Sequence, residues 1–301
     1  MFSRSGTTVK PPAWFTAALR HRPDHLDVEV DACRIHVRAW GDVGNPPLVL
    51  VHGGGAHSGW WDHIAPFFCA THRVIAPDLS GHGDSGTRNT YDLAGWAQEI
   101  LAASAAAGES SQRPTVIGHS MGGWVTATTA IHYGDELDSI LVIDSPLRDR
   151  APEESRLRDR KRDAPGYRTR NEIIARFTAV PSQDVTLPYI SDHIARESVH
   201  KTDRGWVWKF DPAIFNGQLF KQQPTEQETM EAMLSAIRCR VAYLRCESGL
   251  VPQTMAEKIR AILQLRGPFL ELAQAGHHPM LDQPLPLVAT VRTLLEFWSI
   301  T

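Results

Sequence analysis

Apolar and polar residues alternate first at Leu26, Val28 and Val30, then again at Ile35, Val37 and Ala39 after a turn near Asp31. Period-two alternation marks half-buried strands, so two antiparallel edge strands are predicted. Short apolar runs follow at Leu48–Val51, Arg73–Ala76, Thr115–Ile117, Ser139–Ile143, Val241–Leu244 and Phe269–Leu272. Helical periodicity fills several of the gaps: Tyr91–Ala107 before Gly108, Met121–Tyr133 before Gly134, and Pro252–Leu265 before Gly267. The glycines stand where helix stops are expected. Leu285–Trp298 is a last periodic helix, with Pro284 and Pro286 in its first turn. Strands joined through helices imply crossover connections. The predicted class is therefore α/β, a mostly parallel, eight-stranded-type sheet with helices on both faces.

Between Pro146 and Ile237 this rhythm fails. The segment is charged at first, with ten Arg or Lys against six Asp or Glu over Arg148–Arg176, and later aromatic at Trp206, Trp208 and Phe210. We divide the chain into a loosely structured leader (1–22), a first core part (23–146), a helical lid inserted after the sixth strand (147–237) and a second core part (238–301). The charge run reads as a solvated helical face rather than a device for steering substrate.

The 301 residues are enough for one sizeable core, and 42% hydrophobic with 22% charged residues is an ordinary globular balance. A net charge of -3 gives no reason to expect nucleic acid. The apolar runs are strand-sized, far short of the ~20 residues of a membrane span. Residues Met1–Arg22 mix Arg4, Lys10, Pro11, Pro12 and Arg20 with isolated apolar positions, unlike a secretory signal. A cytoplasmic protein is expected. Cys33, Cys69, Cys239 and Cys246 are scattered, which suits buried free thiols better than a disulfide framework. The close cysteine pairs of a zinc site are absent, so none is expected. Oligomeric state is not legible.

The strongest chemical signal is Gly118-His119-Ser120-Met121-Gly122, set between the strand Thr115–Ile117 and the helix beginning at Met121. A strand turning at once into a helix strains its central residue, and glycines two before and two after permit close chain approach. The Ser120 hydroxyl then stands exposed above the sheet.

This G-x-S-x-G in its strand-to-helix setting resembles the α/β-hydrolase superfamily, over nearly the whole chain outside the lid and leader. His52-Gly53-Gly54-Gly55 follows the strand Leu48–Val51, where the family places half of its oxyanion hole. The resemblance implies the amides of Gly54 and Met121 as donors, with Gly55 an alternative to Gly54. Pro77-Asp78-Leu79-Ser80-Gly81-His82-Gly83-Asp84-Ser85 is similar to the family's loop after its fourth strand. Asp78, His82 and Asp84 are read as structural there, and His52, His57 and His63 as non-catalytic. Gly276-His277-His278-Pro279-Met280 matches the family's Gly-His loop, implying His277 as base and leaving His278 at the pocket rim.

The acid departs from the commonest pattern. The turn after Val241–Leu244 reads Arg245-Cys246-Glu247-Ser248-Gly249, where only Glu247 is acidic and Asp is missing. Asp144, at the end of the preceding strand, occupies the place used by a subset of the superfamily. Asp144 is preferred over Glu247, and either keeps the chain order Ser, acid, His.

These roles imply a cofactor-free serine hydrolase working through an acyl-enzyme on Ser120. A carboxylesterase acting on small to medium apolar esters is expected first. Carbon-carbon bond hydrolase, lactonase, thioesterase and perhydrolase chemistry share the same residues, and a ligand-binding receptor is the non-enzymatic alternative. Phe177, Tyr189, Trp206, Val207, Trp208, Phe210, Phe215 and Phe220, with Trp60 and Trp61, are candidate walls of an apolar cavity.

Overall fold

The computed structural model describes residues 10–146, 165–215, 232–264 and 266–301. Helix α1 (Ala13–Arg20) precedes strands β1 (Asp24–Val30), β2 (Cys33–Trp40), β3 (Pro47–Val51) and β4 (Arg73–Pro77). Then come α2 (Leu93–Ala106), β5 (Thr115–His119), α3 (Met121–Tyr133) and β6 (Ser139–Ile143). After the interruption, β9 (Arg240–Ser248), a helix over Gln253–Leu263, β10 (Phe269–Gly276) and a C-terminal helix over Pro284–Ser299 complete the core.

The eight-stranded sheet has the order β1-β2-β4-β3-β5-β6-β9-β10. From β4 onward every neighbouring pair is parallel. The β1–β2 hairpin is antiparallel, as the alternation predicts, but β2 also pairs with β4 and so is not an edge. Successive side chains of a strand point to opposite faces, and the two cores divide accordingly. Leu48, Leu50, Ile117, Leu141 and Leu244 pack on one face with Phe15, Leu287, Val291 and Trp298. Val49, Val51, Val116, Val142 and Tyr243 pack on the other with Trp96, Ile100, Val125 and Ile259.

Helix ends match their local chemistry. Asp92 begins α2 by accepting from the Gly95 amide at 2.7 Å, which starts the helix two residues later than the periodicity suggests. Among the described residues, no helix is long and apolar enough to cross a membrane.

Two expectations need correction. The leader is not loose over its described part. Helix α1 buries Phe15 and Ala18, and the Phe15 ring packs edge-on to Tyr189 at 4.9 Å. Trp14, Phe15, Ala18 and Leu19 share the buried face, a pattern too short to stand out along the chain.

The segment between β6 and β9 is also not purely helical. Its longest described stretch, 165–215, holds α4 (Arg170–Ile174) and α5 (Pro188–Glu197) followed by an antiparallel pair, β7 (Val199–Thr202) and β8 (Gly205–Trp208). Trp206, Val207 and Trp208, read as candidate cavity walls of the lid, form β8. Gly205 at φ 116° makes the turn. Most of the charge run and Phe220 lie outside the described residues.

The insertion is tied to the core by polar contacts. His193 Nε2 lies 2.9 Å from Asp62 Oδ2, Arg38 donates to Glu197 at 3.1 Å, and Gly83 donates its amide to the Lys209 carbonyl at 2.7 Å.

Candidate active site

The loops that follow β3, β5, β6 and β10 meet at the carboxyl ends of the parallel strands, where this class of sheet leaves room for ligands. Strand β5 ends at His119 and α3 begins at Met121, so Ser120 alone makes the turn, at φ 56° and ψ −122°. Its amide donates to the Ile143 carbonyl at 3.0 Å, and its carbonyl accepts from the Gly123 amide at 2.9 Å and from Ser145 Oγ at 2.7 Å. These bonds hold an unfavourable backbone conformation. The flanking glycines are sterically required. A β-carbon on Gly118 would stand 2.2 Å from the Gly122 carbonyl oxygen, and one on Gly122 2.4 Å from that of His52.

His277 links two of the other elements. Its Nδ1 lies 2.8 Å from Asp144 Oδ2 and its Nε2 2.9 Å from Ser120 Oγ. An ionised carboxylate only accepts, so Nδ1 carries the proton and Nε2 turns a lone pair to the serine hydroxyl. Asp144 is fully buried at φ 44°, and its oxygens also accept the amides of Cys246 at 3.2 Å and Leu250 at 2.7 Å. Glu247, by contrast, is exposed and accepts the Gln274 amide at 2.7 Å. The structure thus brings Asp144, and not Glu247, to His277.

Gly54 and Met121 adjoin. A β-carbon on Gly54 would lie 3.4 Å from Met121 Sδ, and one on Gly53 3.3 Å from Ser120 Cβ. No acceptor for the Gly54 or Met121 amide is found among the described residues. Gly55, at φ 70°, turns toward Phe215 and Phe210 instead.

Three histidines read as peripheral or not singled out border the same space. His119 Nε2 lies 2.6 Å from the His277 carbonyl oxygen, His57 Nε2 2.9 Å from Ser198 Oγ, and His278 Nε2 3.2 Å from the Pro181 carbonyl oxygen. Burial drives the His57 and His278 pKa values down to about 3 and that of His119 well below its ordinary value. His119 is the variable second residue of the pentapeptide, a position whose burial the motif does not announce.

Ser120 opens on a cavity of ≈ 120 Å³ walled by Trp60, Phe177, Trp208, Phe210 and Phe215. Other predicted wall residues go elsewhere: Trp61 is core, Tyr189 packs on Phe15, and Trp206 and Val207 line a separate cavity of ≈ 530 Å³. Asp78 is committed to the fold. It accepts the amides of Ser58 and Asp84 at 2.6 and 2.9 Å and contacts His36 at 2.8 Å. Burial alone would raise its pKa, but the His36 hydrogen bond and nearby His57 hold it far below the usual range. The Asp84 carboxylate beside it pairs with Lys209 at 2.8 Å.

The model of the family described as "Alpha/beta hydrolase family" matches residues 48–291, most of the chain. The protein belongs to this family. Among curated relatives of this hydrolase is the pimeloyl-[acyl-carrier protein] methyl ester esterase of Edwardsiella ictaluri, 24% identical over 83% of this chain and 93% of that protein. A serine hydrolase-like protein of Danio rerio is 22% identical over 93% of this chain and 91% of its own length. Among solved structures, the thioesterase domain from the curacin biosynthetic pathway superposes with a TM-score of 0.74 at 20% identity, covering 90% of this chain and 99% of that one. E-2-(Acetamidomethylene)succinate hydrolase also gives 0.74, at 18% identity, over 91% and 99% of the two chains. At such identities the structures speak for the α/β-hydrolase fold alone.

Proposed function

We propose that this α/β-hydrolase is a serine hydrolase that cleaves small to medium apolar carboxylic esters through an acyl-enzyme on Ser120. The observation that carries the proposal is the unbroken hydrogen-bonded line Asp144–His277–Ser120 beside an aromatic-walled cavity. His277 Nε2 takes the Ser120 proton as Oγ attacks the acyl carbon, and Asp144 stabilises the imidazolium that forms. The Gly54 and Met121 amides, lacking acceptors among the described residues, are the donors for the oxyanion. His277 then passes its proton to the leaving alcohol, and a water activated the same way releases the acid. No step calls for a cofactor.

The described stretch of the insertion, 165–215, acts as a lid, with Phe177 and Trp208 as its contribution to the cavity wall. An ester substrate is favoured over a thioester or diketone by the methyl ester esterase among the curated relatives. The test is a profile of p-nitrophenyl esters of increasing acyl length, run beside one thioester, one lactone and one aromatic diketone. Preferred turnover of a short ester supports the reading. Turnover confined to one of the other three would replace it with that chemistry, and no turnover with any of them would favour a binding protein of the same fold.

A further inference from the structure

Three imidazoles meet beside Ser120. One ring nitrogen from each of His119, His277 and His278 lies within 4.8 Å of one from each of the other two, and all three residues are buried. The ring centroids of His277 stand 4.8 Å from His119 and 4.7 Å from His278.

One hydrogen bond to each ring fixes which nitrogen keeps a lone pair. His119 Nε2 faces the His277 carbonyl, His278 Nε2 the Pro181 carbonyl and His277 Nδ1 the Asp144 carboxylate. All three oxygens accept, so all three nitrogens are N–H. Lone pairs remain on His119 Nδ1, His277 Nε2 and His278 Nδ1. The last is buried with no hydrogen-bond partner among the described residues. His119 Nδ1 borders the same space, since a β-carbon on Gly53 would lie 3.3 Å from both that atom and Ser120 Cβ.

We propose that His119, His277 and His278 form a site for a divalent cation of the Zn²⁺ type, and that filling it withdraws His277 from Ser120. An all-imidazole donor set suits Zn²⁺, Cu²⁺ or Ni²⁺ and not the oxygen-seeking Mg²⁺ or Ca²⁺. The outer contacts are those that orient metal-binding histidines: each ring donates its other N–H to a backbone carbonyl or a carboxylate. Asp144, one bond behind His277, supplies a negative charge toward the cation. The orphaned His278 Nδ1, costly to bury unpaired, gains a partner. Zinc-nitrogen bonds of about 2.0–2.1 Å place tetrahedral ligands roughly 3.4 Å apart, so ring movements of about an ångström close the site. The fourth position falls to water or Ser120 Oγ. Ligand spacing along the chain hides such a site, because one ring comes from the end of β5 and two from the loop after β10.

Cation binding does not depend on the proposed reaction; the inhibition that follows does. The full-length protein, stripped with EDTA, is titrated with Zn²⁺ by calorimetry and with Co²⁺ by visible absorption, alongside His119→Gln and His278→Gln. One ion per chain is expected, with cobalt bands of a nitrogen-rich tetrahedral site. Each substitution is expected to weaken binding at least about tenfold. A rise in the unfolding midpoint with Zn²⁺, in the wild type and not in a folded His278→Gln, is a second reading of the same site. Ester turnover is expected to fall along the zinc isotherm and to return with EDTA. Absence of stoichiometric binding, or binding equally tight in both variants, overturns the site. Zinc binding of the expected kind in a protein that turns over no ester would leave the site standing and remove the proposed reaction. Ester turnover indifferent to zinc that is bound would remove the withdrawal of His277.

Discussion

Gly249 lacks a side chain at the point where the Asp144 carboxylate lies: a β-carbon built on Gly249 would stand 2.1 Å from Asp144 Oδ2. The turn after β9, where most of the superfamily carries its acid, therefore receives the carboxylate from the end of β6. Gly249→Ala is expected to displace Asp144, costing about 1–3 kcal/mol by overpacking and about 10²-fold in turnover through loss of alignment with His277. Thermal unfolding and ester kinetics on the same sample measure both. A fully active, equally stable variant would contradict the packing.

In the proposed mechanism Asp144 holds His277 in the working tautomer, so Asp144→Asn is expected to lower turnover by about 10⁴-fold with the fold retained. Glu247→Gln is expected to stay within about tenfold, a barrier change of about 1.4 kcal/mol. Comparing the two by kinetics, with circular dichroism as a check on folding, decides which residue is the acid. The opposite ranking would return it to Glu247.

Much of this arrangement was legible in the chain because its signals are local. The pentapeptide around Ser120 sits between a strand and a helix, and the Gly276-His277 step follows a strand, as the alternation of apolar runs requires. What escaped the sequence depends on contacts between distant segments. The helix over Ala13–Arg20 exists by packing Phe15 on Tyr189, and periodicity over eight residues is a weak sign of that. The β7–β8 pair was hidden because Trp206, Val207 and Trp208 read equally well as a cavity wall. Burial of His57, His119 and His278 likewise follows from packing that no single stretch encodes.

Buried neutral histidines set a pH dependence of stability. Burial lowers His57, His82 and His278 from 6.5 to about 3 and His63 to about 4. Between those values and 6.5 the unfolded chain binds more protons than the folded one. Stability is therefore full above about pH 6.5 and declines as pH falls toward 4, by about 2 kcal/mol per ring at pH 5. Urea unfolding at pH 7 and pH 5 checks this. Equal stability at both would mean that these rings are protonated in the folded state.

Acyl length tests the cavity. A space of ≈ 120 Å³ walled by aromatic rings accepts a short apolar group and excludes a long one. A four-carbon p-nitrophenyl ester is expected to turn over faster than a sixteen-carbon ester, with both held monomeric. Faster cleavage of the longer chain would show that the insertion leaves Ser120 open to a much larger space.

Whether Ser120 is the nucleophile is tested most directly by a fluorophosphonate probe, with the adduct located by peptide mass spectrometry. The backbone at Ser120 already accommodates a β-carbon at φ 56°, so Ser120→Ala is expected to keep the fold while turnover falls by at least about 10⁴-fold. A single adduct on the peptide carrying Ser120, absent from a folded Ser120→Ala protein, is the expected result; no adduct on the folded wild type, or undiminished labelling of the variant, would contradict it.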